Sequence, residues 1–109
     1  MSNIPNIVRA SYLELIVTDL ERSRWFWSDM LGFHVTAQDD EALYLRGTEE
    51  AVHHSLVLRR GEHPAAACMA YRLWEPEDLD RAEKWYADRG CRVERRAPGA
   101  TKGIGEAVR

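Results

Sequence analysis

The sequence predicts an α+β domain made of two βαβββ modules, the second of them incomplete. Three observations predict it. First, the chain repeats itself: "DLERSRWFWSDMLGFHV" from Asp19 and "DLDRAEKWYADRGCRV" from Asp78 share Asp-Leu, an acid, Arg, a small residue, an aromatic pair, Asp, Gly and Val in order. A repeat is weighed before any fold is chosen, because each copy implies one structural unit. Second, each copy follows an apolar run of strand character. Third, short apolar runs separated by polar, turn-type residues follow the first copy. The single domain, residues 1–109, thus divides into a first module over 11–60 and a second, unfinished one over 65–109.

The elements follow in order. "SYLELIVT" (Ser11 to Thr18) alternates Leu13, Leu15 and Val17 against Tyr12, Glu14 and Ile16, the pattern of a strand with one apolar face. Thr18 followed three residues later by Glu21 fits a capping box. Leu20, Ser23, Trp27, Met30 and Leu31 recur at helical spacing, and Gly32 stands where a helix stop belongs. "FHVTAQ", "ALYLRG" and "HHSLVLRR" then read as three strands, broken by Asp39-Asp40-Glu41 and Gly47-Thr48-Glu49-Glu50. The second module reads as a strand, "AACMAYRL", and a helix with Pro76 at its start, acids Glu77, Asp78 and Asp80 in its first turn and Gly90 at its end. Leu79, Ala82, Trp85 and Tyr86 form its apolar stripe. "CRVERR" is the next strand and "GIGEAVR" the start of another, which leaves a sheet edge open to a partner. The expectation is a piece of a longer protein; the other reading is a short protein whose last strand comes from a partner chain.

Composition narrows the function. A net charge of −3, with Lys and Arg dispersed among the acids, gives no basic face for nucleic acid. Arg59-Arg60 and Arg95-Arg96 read as strand-end charges. No apolar stretch nears the ~20 residues of a membrane span, and the first residues lack a signal peptide's pattern, so the cytoplasm is the expected location. Cys68 and Cys91 lack metal-type spacing and are expected to be buried thiols. Trp74 and Trp85 are expected in the core, and Trp25, on the less apolar side of the first helix, at a subunit contact.

Val17, Asp19, Leu20, Ser23, Phe26, Trp27, Leu31, Gly32 and Phe33 form a "V-x-D-L-x-x-S-x-x-F-aromatic-x-x-x-L-G-F" pattern that resembles the vicinal oxygen chelate superfamily, which includes glyoxalase I, bleomycin-resistance proteins and type I extradiol dioxygenases. "YLELIVTDLERSR", "ALYLRG", "HHSLVLR", "EPEDLDRAEKWYADRGCRVERR" and "KGIGEAVR" narrow the resemblance to the N-terminal domain of extradiol dioxygenases that open 3,4-dihydroxyphenylacetate. The resemblance implies a two-domain polypeptide, with Fe(II), or in some members Mn(II), held by two histidines and a glutamate in the second domain and no metal in the first.

Carried over residue by residue, the resemblance leaves no metal site here. The first-strand ligand position, seven residues before the Asp-Leu of the first helix, holds Tyr12, and its counterpart in the second module lies near Cys68. Neither is the imidazole of a two-His-one-carboxylate centre, and no catalytic or cofactor-binding residue can be placed. The adjacent His53 and His54 are the remaining candidates. Read on a strand, they point to opposite faces and cannot grip one metal together. His54 matches by repeat correspondence a histidine that handles protons beside the metal in the catalytic copy; otherwise the pair is hydrogen-bonded at a strand end or between the repeats. His34 and His63 are expected in solvent. Glu14 is expected as a polar side chain on a half-buried strand, and a lone ligand otherwise.

The function expected from this resemblance is that of the N-terminal, non-metal-binding domain of an extradiol catechol dioxygenase in aromatic-compound degradation. Its expected partners are its own C-terminal catalytic domain and further copies of itself. The alternative is a stand-alone small-molecule binder of the bleomycin-resistance type, with a dimeric cleft lined by Tyr12, Tyr44, Tyr71 and the tryptophans.

Overall fold

The structure, a computed structural model, describes residues 4–109. The first three residues, part of the stretch read above for a signal peptide, lie outside it. In chain order the elements are β1 (Ile7–Val17), α1 (Leu20–Arg24) with a π-helical continuation (Trp25–Met30), β2 (His34–Gln38), β3 (Ala42–Arg46), β4 (Leu56–Arg60), β5 (Ala65–Leu73), α2 (Glu77–Asp88), β6 (Arg95–Arg96) and β7 (Ala107–Val108). The fold is mixed α+β, as the repeat predicts, with a five-stranded sheet ordered β2-β3-β4-β1-β5 and a two-stranded ribbon β6-β7. The chain forms two compact units, one over Ala10–Ala70 and one joining the stretch up to Arg9 with Tyr71–Arg109.

In the first unit β1 runs parallel to β4, with Leu13 opposite Leu56 and Leu15 opposite Leu58. β4 and β3 are antiparallel, with Leu43 opposite Leu58, and β3 pairs with β2 across a bulge between Val35 and Ala37. Thr36, inside that bulge, turns its hydroxyl to the Tyr44 carbonyl at 3.2 Å. The period-two alternation sorts side chains to two faces. Leu43, Leu45, Leu56 and Leu58 form the main core with Leu20 of α1, and Leu13, Leu15, Val17, Trp27 and Phe33 pack against it. Ala42, Tyr44 and Val57 form a smaller cluster with Tyr12. Asp39 fixes the β2–β3 turn by accepting from the Glu41 and Ala42 N–H groups at 2.8 Å.

The first helix differs from expectation at both ends. Its N-cap is Asp19, whose carboxylate accepts from Arg22 N–H at 3.0 Å; Thr18 stands one residue outside, and the capping box does not form. After Arg24 the helix widens, with Leu31 N–H reaching the Phe26 carbonyl five residues back. Such widened turns add a residue per turn and turn the aromatic run relative to the preceding helix. Gly32 stops it at a φ of +83°, and Gly90 stops α2 at +86°, a conformation that suits glycine at both helix ends.

In the second unit α2 starts after Pro76. Asp78, one of the three acids in the first turn, is fully buried. Its carboxylate accepts from the N–H groups of Asn6 and Glu75, both at 3.1 Å, and from Arg81 at 2.8 Å. Asn6 in turn accepts from Trp74 N–H at 3.0 Å. The strand expected over "CRVERR" contracts to Arg95–Arg96, and it pairs with Ala107–Val108, inside the expected "GIGEAVR" strand, with Arg95 opposite Val108. Besides its place in this ladder, Arg95 reaches Asp80 and Glu83 of α2 and Glu106 before β7 at 2.9–3.0 Å. Trp74, expected in the core, is 71 % exposed, and the thiols are not buried: Cys68 is half-buried and Cys91 exposed beyond the helix stop. Trp85 is half-buried under the Arg89 guanidinium, 3.2 Å from the ring centre.

Candidate functional site

The unusual polar cluster of the first unit is built on the β3–β4 connection and on β1. The histidines stand outside the strand, which begins only at Leu56. Freed from strand alternation, their rings meet, against the expectation of opposite faces: the two Nδ1 atoms lie 2.8 Å apart. Glu50 anchors the connection, accepting from Gly47 N–H at 2.6 Å and from the Ser55 hydroxyl at 2.7 Å. His54 is 2 % exposed. Tyr12 meets its ring edge-on at a centroid distance of 4.8 Å and Tyr44 at 5.2 Å. His54 Nε2 is buried and has no hydrogen-bond partner among the described residues.

Electrostatics follow from this enclosure. Burial pushes the His54 imidazole down to about 4; the neighbouring His53 adds to the effect and Glu14 opposes it. His54 is therefore neutral near pH 7. A hydrogen bond between two Nδ1 atoms needs one proton between them, one ring donating and the other accepting. Glu14 is engaged by Arg59 at 3.1 Å, and that contact raises the guanidinium further above its ordinary range. Its role is thus an ion pair on the sheet, linking β1 to β4.

The two histidines do not fit a metal ion held between them. The ring centroids of His53 and His54 are 5.0 Å apart while the nitrogens are 2.8 Å apart, so the nitrogens face each other nearly head-on. A metal between them needs about 2.0–2.1 Å to each nitrogen, roughly 4 Å in all along such a line. Tyr12 and Cys68 occupy β1 and β5 without forming a ligand set. Among the described residues no group of three or more His, Cys, Asp or Glu side chains is placed to hold a metal ion. His34 and His63 are exposed. Of the tyrosines expected in a ligand cleft, Tyr44 is buried in the core and Tyr12 packs on His54, while Tyr71 is 57 % exposed in the other unit.

A concavity lies elsewhere in the same unit. It is a groove of about 410 Å³ bordered by Ile16, Val17, Arg22, Trp25, Phe26 and Pro64. The groove and the ring contact of the two histidines escaped sequence reasoning. The delayed start of β4 at Leu56 goes with the Glu50 carboxylate holding Gly47 and Ser55, a side-chain contact that residue spacing does not announce.

The chain belongs to the Glyoxalase/Bleomycin resistance protein/Dioxygenase superfamily, whose family model matches residues 9–104. Among its members this chain is similar to ring-cleaving dioxygenases. The structure of homoprotocatechuate 2,3-dioxygenase from Brevibacterium fuscum in complex with 3,4-dihydroxyphenylacetate superposes with a TM-score of 0.93 at 51 % identity, over 97 % of this chain and 33 % of that one. The manganese-dependent 2,3-dihydroxybiphenyl 1,2-dioxygenase of Geobacillus genomosp. 3 is 30 % identical over 94 % of this chain and 33 % of its own length. A metapyrocatechase of Pseudomonas sp. (strain CF600) is 28 % identical over 94 % and 34 % respectively. The chain thus spans about a third of the length of these relatives. Among the described residues no helix is long and apolar enough to cross a membrane.

Proposed function

We propose that this chain is the N-terminal domain of an extradiol dioxygenase that opens a catechol ring, with 3,4-dihydroxyphenylacetate as the substrate class, in the cytoplasm. One observation carries the reading: 51 % identity and a TM-score of 0.93 to a homoprotocatechuate 2,3-dioxygenase over nearly the whole chain, but over only a third of the enzyme. In this reading Fe(II) or Mn(II) sits in a second domain of the polypeptide, where it would activate substrate and O2. The present domain supplies no ligand and no proton-transfer group to that reaction. What it supplies is a scaffold: the leucine core of the sheet, the Glu14–Arg59 pair and surfaces for the catalytic domain and for other copies.

The test is expression of the full reading frame beside residues 1–109. The full-length protein, loaded with Fe(II) or Mn(II), is expected to convert 3,4-dihydroxyphenylacetate to a yellow ring-opened product. The 109-residue chain is expected to give none under the same conditions. A full-length protein that binds metal yet leaves every tested catechol intact would refute the reading.

A further inference from the structure

The two helices of the repeat begin alike and end differently. One residue more lies between Asp19 and Gly32 than between Asp78 and Gly90. The backbone hydrogen bonds show where it sits. At the end of α2 the Gly90 N–H reaches the Ala87 carbonyl at 3.1 Å, and the Cys91 N–H reaches the Tyr86 carbonyl at 3.0 Å. These are the paired bonds of a Schellman end, closing three and five residues back. At the end of the first helix the Gly32 N–H reaches the Ser28 carbonyl at 2.9 Å, and the Phe33 N–H reaches the Trp27 carbonyl at 3.0 Å. Here the same two bonds close four and six residues back.

The pattern is kept and each bond is longer by one residue. Trp27 thus corresponds to Tyr86, Ser28 to Ala87 and Phe33 to Cys91. Between Ser28 and Gly32 stand Asp29, Met30 and Leu31, whereas between Ala87 and Gly90 stand only Asp88 and Arg89. Asp29 matches Asp88, which leaves the additional residue at Met30 or Leu31. The surroundings agree. Met30 is 60 % exposed and Leu31 51 %. Trp27 and Phe33, on either side of them, pack on the leucine core, and their rings meet edge-on at a centroid distance of 5.3 Å. A hydrophobic contact of this kind accompanies a Schellman end. The five-residue bond from the Leu31 N–H to the Phe26 carbonyl is the wide turn with which a helix takes up one residue without breaking.

We infer that the π-helical turn is a one-residue insertion in the first copy of the repeat, seated at Met30–Leu31, and that it works as a spacer. It carries the additional residue outward while Trp27 and Phe33 keep the contact that holds the helix end on the core. The inference does not depend on the dioxygenase reading, since it uses only the two helices of this chain.

The test is a pair of variants of the 109-residue chain, one with Met30 deleted and one with an alanine inserted after Asp88. NMR couplings across hydrogen bonds identify the carbonyl that each amide reaches, and parent numbers are kept for both variants. The deletion variant is expected to fold, with a thermal midpoint within a few degrees of the parent. Its Leu31, Gly32 and Phe33 amides are expected to keep Phe26, Ser28 and Trp27 as partners, now four, three and five residues back, the pattern of an α-helix with a Schellman end. In the insertion variant the Gly90 and Cys91 amides are expected to keep Ala87 and Tyr86, now four and six residues back, so that α2 gains a wide turn. A deletion variant that does not fold, or whose three amides move to other carbonyls, overturns the inference and makes the additional residue part of the core. An insertion variant that does not fold, or whose Cys91 N–H moves to the Ala87 carbonyl, overturns the correspondence between the two helix ends.

Discussion

The Nδ1 atoms of His53 and His54 stand 2.8 Å apart, so two neighbouring imidazoles hold a single proton between them. Strand geometry forbids this arrangement for adjacent residues; it exists because the connection, pinned by Glu50, delays the start of β4 until Leu56.

Stability should fall on mild acidification because of His54. Burial first, then the charge of His53, lowers its folded pKa to about 4 from 6.5, against the opposing pull of Glu14. Between those values the unfolded chain binds the extra proton and the folded chain does not. The contribution is therefore full above pH 6.5 and is lost as pH falls toward 4, up to about 3 kcal/mol in all. Urea unfolding at pH 7.5 and pH 4.5 measures it. His54→Phe should flatten the slope in that window, and an imidazole resonance of His54 that titrates near 6.5 would contradict the assignment.

Asp78 should matter to stability far more than its neighbour Asp80. Burial alone would raise its carboxyl, but the Asn6 N–H bond, Arg81 and the Glu75 N–H bond outweigh it and hold the group below its ordinary range. Its stabilising effect is therefore present above the ordinary carboxyl range and disappears as pH falls below it. Asp78→Ala leaves Arg81 and two backbone donors short of an acceptor and should lower the thermal midpoint by several degrees. Asp80→Ala removes one exposed arm of the Arg95 network and should shift it little.

Gly61→Ala should destabilise the first unit by about 1–3 kcal/mol, the usual range for overpacking. A Cβ at Gly61 would come within 2.3 Å of Ile16 Cγ2. The Gly61 N–H bond to the Val17 carbonyl at 3.0 Å keeps the backbone from retreating. Removing the obstacle in the double variant Ile16→Ala/Gly61→Ala should erase most of the Gly61→Ala penalty relative to Ile16→Ala alone.

Elemental analysis of the purified 109-residue chain should find far less than one iron or manganese per molecule, before and after incubation with Fe(II). About one metal per chain, released by His53→Ala or His54→Ala, would show that the head-on pair opens to coordinate.

Much of the fold was legible because it follows from local rules. Leu13, Leu15 and Val17 alternate against Tyr12, Glu14 and Ile16, and the structure sorts them to two faces as that alternation requires. The Asp-Leu repeat and its glycines located both helices. Features set by nonlocal packing were not legible. Trp74 looks like a core residue by type, yet lies exposed ahead of α2. Arg95 looks like an edge charge until three acids from α2 and the chain end converge on it. The candidate site was legible in its residues but not in its geometry: His53 and His54 stood out by type, and their contact depended on a strand boundary shifted by a few positions.

The two Asp-Leu dipeptides of the repeat have parted in what mutation can do to them. Asp19 caps its helix from an exposed position with one hydrogen bond, a task that serine, threonine or asparagine performs nearly as well. Asp78 is enclosed by two backbone donors and a guanidinium, and no other side chain offers a carboxylate of that length. Once a duplicated helix start sank into the interior in one copy only, the copies ceased to be interchangeable. Genetic drift remains open at Asp19 and is closed at Asp78, so a saturation library of this chain should accept several residues at the first position and almost none at the second.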